Sequence, residues 1–355
     1  MHRLRTYTAS ACIKVLRGNI QRMASIAEKR KHLHKEARVL LELIDKAGRP
    51  PLHKLPVKDA RKATKAMNRL DGTDATLDGT AKEFAVPVSY NSEGVPITVY
   101  RPFSCPTNPA IWIYFHGGGF VIGDRAGSDA TCKIIASKAN CIVVNVEYRL
   151  APEFKYPACI EDGVAVTRWI MENKQLVGAG SQSIVGVGGD SAGGTISANI
   201  CHEVPGVDFQ VLIYPAVDMT TMYPSRRDFS EGFMLEVETA LWFHKHAFKR
   251  SDDMRAISAF NRDMISFRKQ PPCLMIISDS DVLRDEGVAY AEKLRRANRH
   301  VEVMMINGMI HGFYTFPTLF KETCERAYKR TVEFIKAQED KAGQSNRMAP
   351  PAGRL

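Results

Sequence analysis

With 355 residues, 45% of them hydrophobic, the chain has material for one large α/β domain with an appended piece, or for two smaller domains. No uninterrupted apolar run approaches the ~18 residues of a membrane helix, which argues against stable membrane insertion. The formal charge of +10 sits at one end, since residues 1–70 hold 18 Lys and Arg against 5 Asp and Glu while the remainder holds 31 against 34. Such a surplus argues against nucleic acid as a partner of the main body, and leaves an anionic surface open for the N-terminal region.

Taken in order, the chain divides into an extension (1–34), N-terminal cap helices (35–80), a core (81–214), an insertion (215–262), more core (263–340) and a tail (341–355). Residues 1–27 lack Asp and Glu but carry Arg3, Arg5, Lys14, Arg17 and Arg22. That composition fits an organellar transit peptide, a disordered tail, or a start at Met23. Ala37, Leu40, Leu41, Leu43 and Ile44 make an apolar helical face that ends at Gly48-Arg49-Pro50-Pro51. A second helix-favouring stretch follows from Val57. Residues 84–102 alternate in the way of a β-meander with a turn expected at Ser92-Glu93-Gly94. Strands are then expected at Ile111–Phe115, Cys141–Val146, Ile184–Val187, Gln210–Tyr214, Cys273–Ser278 and Val301–Ile306. Helices are expected between them at Asp129–Lys138, Ile160–Glu172, Ala192–Glu203 and Glu286–Ala297, and after them at Lys321–Ala337. Continuous apolar strands alternating with helices predict a mostly parallel sheet covered on both faces. The long gap between Tyr214 and Cys273 is rich in Met and aromatic residues and is expected to fold as a cap. The tail's Gly, Pro and Ser predict disorder.

Eight cysteines show neither CxxC pairs nor clusters with His, so the common zinc spacings and a disulfide framework are not expected. No metal and no cofactor are expected. A reducing compartment follows, the cytoplasm or, if residues 1–22 act as a transit peptide, an organelle.

The chemistry gathers around Gly188-Gly189-Asp190-Ser191-Ala192-Gly193-Gly194, which follows one apolar run and opens onto a helix. A sharp strand–turn–helix with Ser191 at its apex would expose the hydroxyl and aim the Ala192 N–H at an acyl oxygen. His116-Gly117-Gly118-Gly119-Phe120 follows another strand, and its glycines would let backbone N–H groups approach the same oxygen. Serine needs a base, and the base needs an orienting acid. His300 lies in a basic surface run, whereas His311 directly follows the last strand's region, so His311 is the expected base. Among Asp279, Asp281, Asp285 and Glu286, Asp281 is the best placed acid. Asp285 and Glu286 fit the acidic first turn of the next helix.

Together with Tyr148-Arg149-Leu150-Ala151-Pro152-Glu153, Asp281-Val282-Leu283-Arg284-Asp285-Glu286-Gly287 and His311-Gly312-Phe313, these motifs resemble the hormone-sensitive-lipase-like (bacterial family IV) esterases over roughly residues 35–337. Val282 stands where that family usually has proline. The resemblance implies an α/β-hydrolase fold with a helical cap, and a serine carboxylesterase acting on a small-molecule ester with short-to-medium acyl chains. It implies Ser191, Asp281 and His311 as the catalytic triad, with Gly117, Gly118, Gly119 and Ala192 around the oxyanion. Phe120, Phe229, Phe233, Met234 and Leu235 are expected to line the substrate pocket. A deacetylase or amidase acting on an N-acyl or O-acetyl metabolite remains an alternative. From a different class, so does a non-catalytic receptor on the same scaffold, as in the plant gibberellin receptors, which lack the catalytic histidine. A homodimer is left open.

Overall fold

The apolar runs become strands in the computed structural model, which describes residues 21, 23–71 and 75–348. They are β1 (Gly79–Val88), β2 (Asn91–Pro102), β3 (Ile111–Phe115), β4 (Ile142–Val146), β5 (Val185–Asp190), β6 (Phe209–Ile213), β7 (Cys273–Ser280) and β8 (Val301–Ile310). They form one sheet in the order β1-β2-β4-β3-β5-β6-β7-β8. The first two strands run antiparallel and the other six are parallel to one another. Alternation decides the faces. Ile111, Ile113 and Phe115 pack with Val144, Val187 and Ile196 on one side, while Trp112 and Tyr114 pack with Ile135, Val143 and Val211 on the other. Each such fully buried side chain contributes ~1.5–3 kcal/mol, so the sheet can leave its carboxyl edge free for polar groups.

The helices are α1 (Lys35–Ala47), α2 (Val57–Asp71), α3 (Arg125–Ala139), α4 (Ala158–Glu172), α5 (Ala192–Glu203), α6 (Val237–Ala247), α7 (Arg284–Arg296) and α8 (Lys321–Met348), with shorter turns between β6 and β7. Ile135 of α3 and Ile335 of α8 cover one face. Ile170 of α4 and Ile200 of α5 cover the other. α1, α2 and α6 sit over the carboxyl edge and wall a cleft there.

Three expectations change. The β1–β2 turn is at Ser89-Tyr90, and Ser92–Gly94 lie within β2. Pro87 has no N–H for the ladder, so pairing shifts between Val86 and Val88. Gly94, at φ +74°, accepts from Asn91 Nδ2 at 2.8 Å and absorbs the extra residues. Within the expected extension 1–34, residues 1–20 and 22 lie outside the described residues, but the segment before Lys35 is packed. Leu33 is buried in the core, and the His34 N–H donates to the Gly308 carbonyl at 2.8 Å. At the other end α8 runs through Met348, so the expected disordered tail is helical over 341–348, and 349–355 lie outside the described residues.

Candidate active site

β5 ends on Asp190, and α5 begins at Ala192. Ser191 between them takes φ +53° and ψ −117°, a conformation that costs a non-glycine residue ~1–3 kcal/mol. Hydrogen bonds hold it there. The Ser191 N–H donates to the Ile213 carbonyl at 2.9 Å, and the Thr195 N–H donates to the Ser191 carbonyl at 3.0 Å. Only glycine fits two positions either side, because a Cβ on Gly189 or Gly193 would overlap the Phe115 carbonyl.

His311 follows β8 directly, and Asp281 follows β7. His311 Nε2 lies 2.9 Å from Ser191 Oγ, and its Nδ1 lies 2.7 Å from Asp281 Oδ2. An ionised carboxylate only accepts, so Nδ1 carries the proton and Nε2 is left to accept from the hydroxyl. The other oxygen of Asp281 accepts from the Leu283 N–H at 3.0 Å, and the side chain is buried. The structure therefore brings all three residues into one relay. Asp285 lies outside it, accepting from the Ser225 N–H at 2.8 Å and from Arg284 Nε at 2.7 Å. Burial opposes ionisation of Asp285, yet the bonds from Arg284 and Ser225 leave its carboxyl below the usual range.

Glu286 has a role that its place in a helix's first turn concealed. It is fully buried and accepts from the N–H groups of Val217 (2.9 Å) and Asp218 (3.2 Å) and from Arg226 Nη2 (2.8 Å). Burial raises its carboxyl to about 7, against the pull of Arg226. It thus ties the start of the insertion to α7.

Beyond β3 the chain turns through Gly118 and Gly119, at φ +120° and +58°. The N–H groups of Val121 and Ile122 both close on the Gly118 carbonyl at 3.0 Å. Tyr148 stacks on His116 at 4.4 Å and donates its hydroxyl to the His116 carbonyl at 2.7 Å. Among the described residues no acceptor takes the N–H of Gly118, Gly119 or Ala192. Gly117 differs from expectation. Its N–H is already given to Asp190 Oδ1 at 2.8 Å, so it has no donor left for a substrate oxygen.

Ser191 and His311 border a cleft of about 890 Å³. Phe120, Met234 and Leu235 line it as expected, joined by Leu41, Ile44, Met219, Phe243 and Phe316. Phe229 and Phe233 do not. They pack edge to face at 5.1 Å inside the core, with the Arg284 guanidinium over Phe229. Aromatic content marks the insertion as folded but not which rings face inward. His244 also lines the cleft, and burial, aided by Arg226, pushes its imidazole down to about 4, so it is neutral at pH 7. Among the described residues no group of three or more His, Cys, Asp or Glu side chains is arranged to hold a metal ion, and no helix is long and apolar enough to cross a membrane.

A hydroxyl, an imidazole and a carboxylate in line, facing free N–H groups, can carry out acyl transfer. The comparisons agree with that chemistry. A family model described as alpha/beta hydrolase fold matches residues 112–315. The chain is 29% identical to an ethyl acetate hydrolase of Pseudomonas putida over 309 residues, covering 82% of this chain and 95% of that one. It is 38% identical over 224 residues to the esterase LipI of Mycobacterium tuberculosis, covering 61% and 69%. Among solved structures, an ester hydrolase from the metagenome of Lake Arreo superposes with a TM-score of 0.80 at 34% identity, covering 87% of this chain and 99% of that one. The chain therefore belongs to the α/β-hydrolase-fold family, among the hormone-sensitive-lipase-like (bacterial family IV) esterases, and is a carboxylic ester hydrolase.

Proposed function

We propose that the chain hydrolyses small esters of short-to-medium acyl chains through an acyl-enzyme on Ser191. The observation that carries this is the unbroken relay from Ser191 Oγ through His311 to Asp281 at the edge of the cleft. As Ser191 Oγ attacks the ester carbonyl, its proton moves to His311 Nε2, and Asp281 steadies the imidazolium through Nδ1–H. The carbonyl oxygen gains charge and takes hydrogen bonds from Gly118, Gly119 and Ala192. Collapse expels the alkoxide, which His311 protonates. Water then enters, loses its proton to His311 and releases the acid. His311 within reach of Ser191 favours this reading over a receptor on the same scaffold.

The acyl range follows from the cleft's limited volume, since each methylene adds ~0.8 kcal/mol only while it fits. The Pseudomonas relative named for ethyl acetate supports the short end. Exposed Ile44, Met222 and Leu241 share the cleft with Asp45, Arg49 and Glu236, a mixed lining that supports an esterase over a lipase acting at a lipid interface. The test is kcat/KM across p-nitrophenyl esters from acetate to palmitate. An optimum at about two to eight carbons is expected. An optimum at palmitate, or a rate jump above the substrate's solubility limit, would replace this reading with a lipase.

Seven cysteines are described and none is in a disulfide, which supports the cytoplasm or another reducing compartment as the proposed location. The outer edge of β8 meets the segment before Lys35 at Gly308 and pairs with no further described strand, which supports a homodimer as part of the proposal.

A further inference from the structure

The oxyanion donors come from two separate pieces of chain, Gly118 and Gly119 after β3 and Ala192 at the start of α5. Something must hold one against the other. The β3–β5 ladder ends at Phe115 opposite Gly189, so beyond that rung the sheet no longer fixes the glycine loop. Asp190 takes over there. Its Oδ1 accepts from the Gly117 N–H at 2.8 Å and from the Tyr114 hydroxyl at 2.6 Å. A Cβ on Gly117 would overlap this carboxylate, so the close approach requires glycine at that position. Asp190 and Tyr114 are both buried, and no Lys or Arg pairs with Asp190 among the described residues. Burial pushes the Asp190 carboxyl up, opposed by the bonds from Tyr114 and Gly117 and by His116 and His311 nearby. A carboxylate buried without a cation is a costly way to fill space. Its partners show what it does.

We propose that Asp190 is a positioning residue that fastens the Gly117–Gly119 loop to the segment carrying Ser191, so that N–H groups from both pieces converge on one oxygen. Glycine-rich backbone has no side chains of its own to hold it, and oxyanion donors act only within a few tenths of an ångström of their mark. Asp190 makes no hydrogen bond to His311, whose acid partner is Asp281, and so lies outside the proton relay.

The inference rests on Ser191 being the nucleophile, and the experiment separates the two. Three readouts are taken for Asp190→Ala and Asp190→Asn: kcat and KM on a short ester, melting temperature, and affinity for a trifluoromethyl ketone. Ser191 Oγ bonds to the ketone carbon, its proton passes to His311, and the carbonyl electron pair becomes an oxyanion in the hole. Asp190→Ala is expected to lower kcat by roughly 10- to 100-fold with little change in KM, and to weaken the trifluoromethyl ketone in parallel. The methyl ketone of the same shape, bound without an oxyanion, should keep its affinity. Asp190→Asn, which retains an acceptor oxygen, should recover most of the loss. Unchanged kcat and trifluoromethyl ketone affinity in a folded Asp190→Ala protein would overturn the proposal. So would Asp190→Asn falling as far as alanine while melting like wild type, since charge rather than positioning would then be at work. If Asp190→Ala does not fold, Tyr114→Phe decides, and unaltered trifluoromethyl ketone affinity there overturns it. Activity surviving in Ser191→Ala would instead remove the nucleophile itself.

Discussion

His311 has two ring nitrogens, and the structure occupies them with opposite roles. Nδ1 faces a buried carboxylate that only accepts, which leaves Nε2 unprotonated toward Ser191. Single losses from such a unit typically cost ~10⁴–10⁶ in kcat, so Ser191→Ala and His311→Ala should each abolish most turnover while melting like wild type. Retention of more than about a tenth of activity in either would count against the assignment. The neighbouring acids separate more finely. Asp281→Asn should reduce kcat on the order of 10⁴, because an amide favours the wrong imidazole tautomer. Asp285→Asn should instead cost about 1 kcal/mol of stability with kcat nearly intact, since its partners are Ser225 and Arg284. Kinetics and urea unfolding of the two variants would show the opposite pattern if the roles were exchanged.

Between elements, Glu286 is one of the ties between the insertion and the core, its carboxyl holding the backbone at Val217 and Asp218 and the side chain of Arg226. With a folded value of about 7 against an ordinary 4.5, folding takes up a proton between those pH values. The native state then binds more protons than the unfolded chain, so this group's contribution falls as pH rises through 7. Partly buried His202 and His244, lowered to about 3 and about 4, slope the other way below 6.5. Only a difference isolates Glu286. Wild-type stability minus that of Glu286→Gln should fall by about 2 kcal/mol between pH 5 and 8, measured by urea unfolding. A constant difference would mean that Glu286 is ionised throughout. Nothing in the sequence distinguished this side chain from an ordinary first-turn acid, because its partners lie 60 to 69 residues away. The strands were legible for the reverse reason, since runs such as Ile111–Phe115 carry their burial in adjacent residues. The Ser191 turn was legible too, because crowding there demands Gly189 and Gly193 locally. Phe229 and Phe233 were not, since orientation within a cap is set by what packs beneath it.

At the scale of the whole molecule, the segment before Lys35 works as a strap across the carboxyl edge of the sheet. Lys29 Nζ and Arg30 Nε donate to the carbonyls of Asp228 and Gly232 in the insertion. His32 Nε2 lies 2.9 Å from the hydroxyl of Ser280, the residue before Asp281, and Ser280 Oγ donates to Asp279 Oδ1 at 2.8 Å. Asp279 Oδ1 also accepts from the Met309 N–H, two residues before His311. The strap thus reaches both loops that carry Asp281 and His311. Composition could not reveal this, because an acid-poor basic stretch reads the same whether it serves as an address, a tail or a clasp. Two truncated proteins distinguish these roles. One beginning at Met23 retains every contact just named and should keep wild-type kcat/KM and unfolding free energy. One beginning at Lys35 loses buried Leu33 and the His32 and His34 hydrogen bonds. It should lose at least ~2 kcal/mol of stability from the apolar burial alone. Its kcat should also fall, because the loops under Asp281 and His311 lose their outer support. If the protein beginning at Lys35 matches wild type in both measurements, the strap is a passive covering; if the one beginning at Met23 already fails, the residues ahead of it help to build the site.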